Sequence, residues 1–193
     1  MSRLLESIKV QDGVLYNLEY HQDRMQRAWK SVFGIHKTVD LTKEIRIPKN
    51  AQQGLFKCRI VYDLQISEID FNPYQRKEIS KIVWTTDEKI SYSHKFENRD
   101  NILRHSKKLN PDEELIFIKG GMLRDASYSN IALFDGKDWH TPTYPLLKGT
   151  KRAELVRNGR VISKKIRPDD LKNYKKISFI NALNDLDEMT INL

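Results

Sequence analysis

Apolar and polar positions along the chain repeat with two different periods, and the places where one period gives way to the other mark its elements. Residues 4–10 and 14–18 read as short strands around Asp12-Gly13, a dipeptide that favours a tight hairpin. Met25, Ala28, Trp29, Val32 and Phe33 then recur at i, i+3, i+4, i+7 and i+8. That spacing predicts a helix over about 18–33 with one apolar face, capped by Asn17 and stopped at Gly34. A weaker helical pattern over 40–53 is interrupted by Pro48. FKCRIVYD (56–63) alternates strictly, with Phe56, Cys58, Ile60 and Tyr62 on one face, and reads as a half-buried strand. Strand-like runs at 66–71 and 79–85 flank Asn72-Pro73, which predicts a turn and a boundary between subdomains at 1–71 and 74–193.

Beyond that boundary the pattern predicts a helix over about 98–108 and a strand at 114–121 that ends in a Gly-Gly turn. NIALF (130–134) and DWHTP (138–142) form a hairpin around Asp135-Gly136. GTKRAELVRNG (149–159) is a short helix between glycines, followed by strands at 160–166 and 176–183 with a short helix from about Asp169 between them. Paired strands with interspersed helices predict an α+β fold of two α/β subdomains with mixed sheets.

Composition narrows the class. With 39% hydrophobic residues there is enough apolar side chain for a real core, and Gly and Pro are too scarce for a fibrous or low-complexity chain. The single cysteine, Cys58, excludes an internal disulfide and suits a reducing compartment. No run approaches the roughly 20 apolar residues of a membrane span, and the N-terminus lacks the apolar stretch of a signal peptide, so a cytoplasmic protein is expected. The net charge of +8 favours anionic partners. Its basic residues are interleaved with acids, as in KKIRPDDLKNYKK, and no nucleic-acid-binding motif accompanies them.

Four places carry candidate chemistry. In YHQDRMQR, His21 and Arg24 lie three apart on one edge of the first helix, where the simplest reading is two solvated side chains. In SHKFENR, Lys95 stands between a strand and a helix beside His94 and Tyr92; desolvation there would make its amine nucleophilic, although a plain surface lysine has the same look. RDASYSNIALF places Asp125, Ser129 and Asn130 just before an apolar run, which is also ordinary turn chemistry. In TPTYPLLKGTKR, Gly149, Thr150 and Lys151 open a helix with no acidic residue in its first turn, an arrangement that attracts phosphate.

Taken together and in order, H-x-x-R, K-x-x-N-R, D-x-S-x-S-N-I and T-P-x-x-P-L-L-x-G-T-x-R resemble the class IV aminotransferase family. These are pyridoxal-phosphate enzymes of fold type IV, the D-amino-acid aminotransferase-like fold, and the likeness runs from about residue 5 to the C-terminus. The resemblance implies pyridoxal 5′-phosphate (PLP) as cofactor, Lys95 as the catalytic lysine that carries it, and Arg24 as a phosphate ligand. It implies Asp125 against the pyridine nitrogen with Ser129 and Asn130 beside it, and Gly149, Thr150 and Lys151 as the phosphate-binding turn. No metal is implied. A homodimer acting on a small amino-acid-like substrate is expected, with Lys95 on the larger subdomain.

The chain departs from the family's pattern in three ways. Asp125 replaces the usual, longer glutamate, and Lys151 stands where many relatives have threonine. IVYD replaces a late Arg-Gly, which leaves Arg59, Arg99 and His94 as unranked candidates to anchor a substrate carboxylate. K-F-E-N-R after the lysine is similar to aminodeoxychorismate lyases of folate biosynthesis, which release pyruvate and form 4-aminobenzoate. The alternatives are a branched-chain or D-amino-acid transaminase and, from another class, a basic non-catalytic nucleic-acid-binding module.

Overall fold

A computed structural model describes residues 2–193. The chain divides into two compact units. One holds the chain up to Gln75 together with His94–Asn98; the other holds Arg76–Ser93 and Arg99–Leu193.

The first unit is an antiparallel sheet with one long helix on it. Strands β1 (Leu4–Gln11), β2 (Val14–Leu15), β3 (Leu55–Tyr62) and β4 (Ile66–Pro73) stand in the order β2-β1-β3-β4. Helix α1 (Leu18–Phe33) lays Met25, Ala28 and Trp29 against Leu4, Ile8, Cys58 and Ile60, so its apolar face and the alternating strands share one core. Asn17 stands at the start of α1 in a left-handed conformation without capping the helix through its side chain. The expected helix over 40–53 reduces to one turn, α2 (Leu41–Glu44), and a 3-10 turn at Lys49–Ala51 that Pro48 opens.

Asn72 and Pro73 form no turn. They pair with Lys57 and Phe56 at the end of β4, where a proline is tolerated because β4 is an edge strand. The segment carrying Lys95 falls in the first unit instead of the larger one. The short β2 pairs only with Val10 and Gln11 of β1. At the start of β1, Leu5 donates its N–H to the Lys95 carbonyl and Leu4 bridges Phe96, and just before the strand the Arg3 carbonyl accepts from the Glu97 N–H.

The second unit contains two sheets. Strand β5 (Lys81–Thr86) runs parallel to β6 (Glu113–Lys119), the connection passing through α3 (Asp100–Ser106), and β7 (Met122–Ala126) pairs antiparallel with β6. Gly120 and Gly121 both have positive φ, 61° and 66°, which a two-residue hairpin of this kind requires and which glycine alone adopts without strain. The other sheet has the order β10-β9-β8-β11-β12, from β8 (Asn130–Phe134), β9 (Trp139–Pro142), β10 (Ile162–Lys164), β11 (Lys176–Ile180) and β12 (Thr190–Asn192). Leu123 and Ile116 pack with Ile131, Leu133, Ile177 and Phe179 between the sheets. Helix α4 (Thr150–Arg157) joins a smaller cluster through Leu155, with Ala132, Val161 and Ile180. Among the described residues no helix is long and apolar enough to cross a membrane.

Candidate active site

The first unit buries a charged cluster on its apolar side. Strand β1 alternates strictly, so Glu6 lies on the same inward stripe as Leu4, Ile8 and Val10 and is fully buried. Two residues one turn apart on α1 meet it. His21, also fully buried, places Nδ1 2.5 Å from Glu6 Oε2. Arg24 donates Nε to Oε1 at 2.9 Å and Nη2 to Oε2, a bidentate pair. The reading of His21 and Arg24 as solvated is therefore overturned.

Burial would raise the Glu6 carboxyl. The Arg24 charge and the His21 and Arg24 hydrogen bonds outweigh it and hold the group down at about 2. Burial lowers His21 below its ordinary value, with the Arg24 and Lys95 charges adding to the effect and Glu6 opposing it. At neutral pH a neutral imidazole thus donates from Nδ1 to an ionised Glu6. The Lys95 charge thus acts on His21 in the same sense as the Arg24 charge.

The second unit builds the other group around Asp125. Its strand β7 turns Leu123 and Asp125 inward together, and Asp125 is 5% exposed. Asn130 Nδ2 donates to Oδ1 at 2.8 Å, and the Leu147 N–H donates to Oδ2 at 2.8 Å. Burial pushes the carboxyl up to about 6, against partial relief from Leu147, Asn130 and the Arg152 charge. Asn130 Nδ2 also donates to the Leu147 carbonyl, and its Oδ1 lies 2.0 Å from where a Cβ on Gly149 would stand. Gly149 is thus required by close approach, at an ordinary φ of −67°.

The next residue, Thr150, begins α4 with no acidic side chain in the first turn, and Ser129 is buried beside Asn130. The Lys151 ammonium is buried and paired with Glu154 at 2.7 Å and Asp185 at 3.3 Å. Among the described residues no group of three His, Cys, Asp or Glu side chains is placed to hold a metal ion.

Over residues 3–186 the chain matches the model of the amino-transferase class IV family. The chain belongs to that family. A curated relative, an uncharacterized protein of Haemophilus influenzae, is 32% identical over 188 residues, 96% of this chain and 100% of that one. The solved structure of a "putative 4-amino-4-deoxychorismate lyase" from Haemophilus somnus is 31% identical, has a TM-score of 0.88, and is matched over 96% of this chain and 98% of that chain. A hypothetical aminotransferase from Mycobacterium tuberculosis in a PLP-bound form shares the fold, with 17% identity, a TM-score of 0.73, and coverage of 99% and 80%.

Class IV aminotransferases are enzymes that use PLP. The donor sets of the two units suit it chemically. A buried carboxylate that its surroundings leave costly to ionise suits a cationic ring nitrogen. In the second unit a helix start without acids suits a phosphate, and in the first, taken by itself, so does a buried arginine.

Of the three candidate anchors for a substrate carboxylate, Arg59 is met by Glu68, Asp70 and Glu97. Arg99 lies 4.1 Å from the Tyr128 ring and 5.7 Å from the Tyr92 ring, and donates to the Ser127 carbonyl. His94 Nε2 meets the Ser31 hydroxyl at 2.6 Å. Sequence reasoning passed over Glu6 and Leu147. Glu6 did leave a signal, because a carboxylate on the apolar stripe of LLESIKV requires a buried partner. The Leu147 contact is a backbone N–H, which no side-chain pattern reports.

Proposed function

We propose that this class IV enzyme is a PLP-dependent lyase of the aminodeoxychorismate type, which releases pyruvate and leaves 4-aminobenzoate. The observation that carries the reading is the likeness to the Haemophilus somnus structure over nearly the whole of both chains. The K-F-E-N-R run after position 94 agrees with it.

Bound PLP supplies an electron sink for the charge left when a bond at the substrate's α-carbon breaks. The chain's own residues do the rest. Lys95 would carry the cofactor through its amine; its freed Nζ would take the substrate's α-proton, and a proton would pass to the departing pyruvate. The family resemblance assigns phosphate binding to Arg24 and to the backbone N–H groups at Gly149, Thr150 and Lys151, which would hold that group through charge-assisted hydrogen bonds. The Lys151 side chain is not needed there, since Glu154 and Asp185 already engage it. Asp125, steered by Asn130 and Leu147 with Ser129 beside them, would serve the ring nitrogen as a carboxylate.

The proposal extends to a cytoplasmic homodimer acting in folate biosynthesis. It draws on the family resemblance and on the single thiol, Cys58, which burial keeps up at about 12 and therefore inert. A pyruvate-release assay on aminodeoxychorismate, run beside an amino-donor panel, tests the reaction. Pyruvate and 4-aminobenzoate formed in equal amounts support the lyase. Amino transfer from branched-chain or D-amino acids without pyruvate release from aminodeoxychorismate makes it a transaminase.

A further inference from the structure

We propose that Glu6 is a positioning residue that aims Arg24 at the cofactor phosphate. The inference rests on the reading of Arg24 as a phosphate ligand and deepens it. Its starting point is a carboxylate where stability alone would not put one. Glu6 stands fully buried among Leu4, Ile8 and Val10 on the inner stripe of β1. Exchanging a buried ion pair for apolar side chains of similar volume is often neutral or stabilising, so the charge needs another reason to be there.

The geometry supplies one. Both Glu6 oxygens are used on Arg24, one by Nε and one by Nη2, and this two-point grip takes two of the five guanidinium N–H groups and fixes the plane of the others. The same carboxylate holds His21 Nδ1, one turn earlier on α1. One side chain of β1 therefore sets both the rotation of α1 and the attitude of its arginine. Immediately before Glu6 on β1, the Leu5 N–H donates to the Lys95 carbonyl. A short piece of a single strand thus governs the orientation of the arginine and the backbone of the lysine.

Charge and aim make opposite predictions. Glu6 cancels much of the Arg24 charge, so if only charge mattered, Glu6→Gln would tighten phosphate binding. If aim matters, the glutamine breaks the grip, because its amide sets N–H against N–H or must rotate away, and phosphate binding weakens.

The test titrates the full chain, stripped of cofactor, with PLP and in parallel with pyridoxal, which lacks the phosphate. Glu6→Gln should weaken PLP binding about tenfold or more while pyridoxal binding stays as in wild type. In an Arg24→Ala background the further change Glu6→Gln should have no effect on PLP binding, because its route is gone. Unchanged or tighter PLP binding in Glu6→Gln, an equal loss for pyridoxal, or a full effect in the Arg24→Ala background would each overturn the proposal. Should Glu6→Gln fail to fold, Arg24→Lys serves. Lysine keeps the charge without the fork and should lose PLP affinity by about tenfold as well, whereas wild-type affinity would overturn the proposal. Unchanged PLP affinity in Arg24→Ala would overturn the phosphate reading itself, and the proposal with it. A loss in Arg24→Ala without one in Glu6→Gln would overturn the proposal alone.

Discussion

Asp125→Asn removes a buried charge with almost no change of shape, and the structure sets the size of the effect. Burial lifts this carboxyl from an ordinary 3.8 to about 6 despite its two donors. A carboxyl with a higher value folded than unfolded holds more protons in the folded state between those two values. Stability therefore falls as pH rises from about 3.8 to about 6, and the deficit is complete above the upper value. At about 1.4 kcal/mol for each pKa unit, it amounts to roughly 3 kcal/mol in the cofactor-free protein. Asparagine carries no such deficit. Its amide does oppose a donor N–H from Asn130 or Leu147, at about 1–3 kcal/mol, but by the same amount at every pH.

Urea unfolding of both cofactor-free proteins across about pH 4 to 7.5 separates the two terms, because only the charge term depends on pH. The difference between variant and wild type should shift in the variant's favour by most of those 3 kcal/mol as pH rises. Parallel stability curves would refute the burial argument. Adding PLP should then stabilise wild type more than the variant, since a cationic ring nitrogen offsets the buried charge. Turnover should fall about a hundredfold or more, equivalent to about 2.7 kcal/mol of transition-state stabilisation. Wild-type turnover in Asp125→Asn at full cofactor content would remove Asp125 from the ring nitrogen.

Lys95→Ala should abolish turnover and leave the unfolding free energy within about 0.5 kcal/mol of wild type, read by the activity assay and by urea unfolding. Gly149→Ala drives a methyl onto Asn130 Oδ1, so either the start of α4 shifts or Asn130 releases Asp125. We expect a loss of about 1–3 kcal/mol in unfolding experiments together with weaker PLP binding. Arg59→Ala should change KM by less than about threefold, because three carboxylates already engage its charge. Arg99→Ala should raise KM about tenfold or more, since it removes the cation held against Tyr128 and Tyr92 beside Ser127. Steady-state kinetics on the two variants ranks the anchors.

Much of the fold was legible because period and burial agree. The strict alternation of FKCRIVYD and the apolar face of α1 reappear as one shared core. Strand β7 was missed because MLRDA mixes charge with apolar residues, and its inward pair is Leu123 with Asp125. Strand β12, only three residues long, lacks a pattern to read. Asn72-Pro73 misled because turn dipeptides also fit the end of an edge strand. The site shows the same limit. Motif order picked out Arg24, Lys95, Asp125 and Asn130, but their contacts depend on pairings distant in sequence. Glu6 reaches Arg24 across 18 positions, and Leu147 reaches Asp125 across 22.

The central claim is that this chain carries PLP on Lys95, and borohydride reduction followed by peptide mapping tests it most directly. Reduction turns a cofactor imine into a stable secondary amine that survives digestion. The account predicts a yellow protein that bleaches on reduction, with one pyridoxyl group, on the peptide containing Lys95. A label on another lysine, or a colourless protein that takes up no PLP and retains polynucleotide, would contradict it.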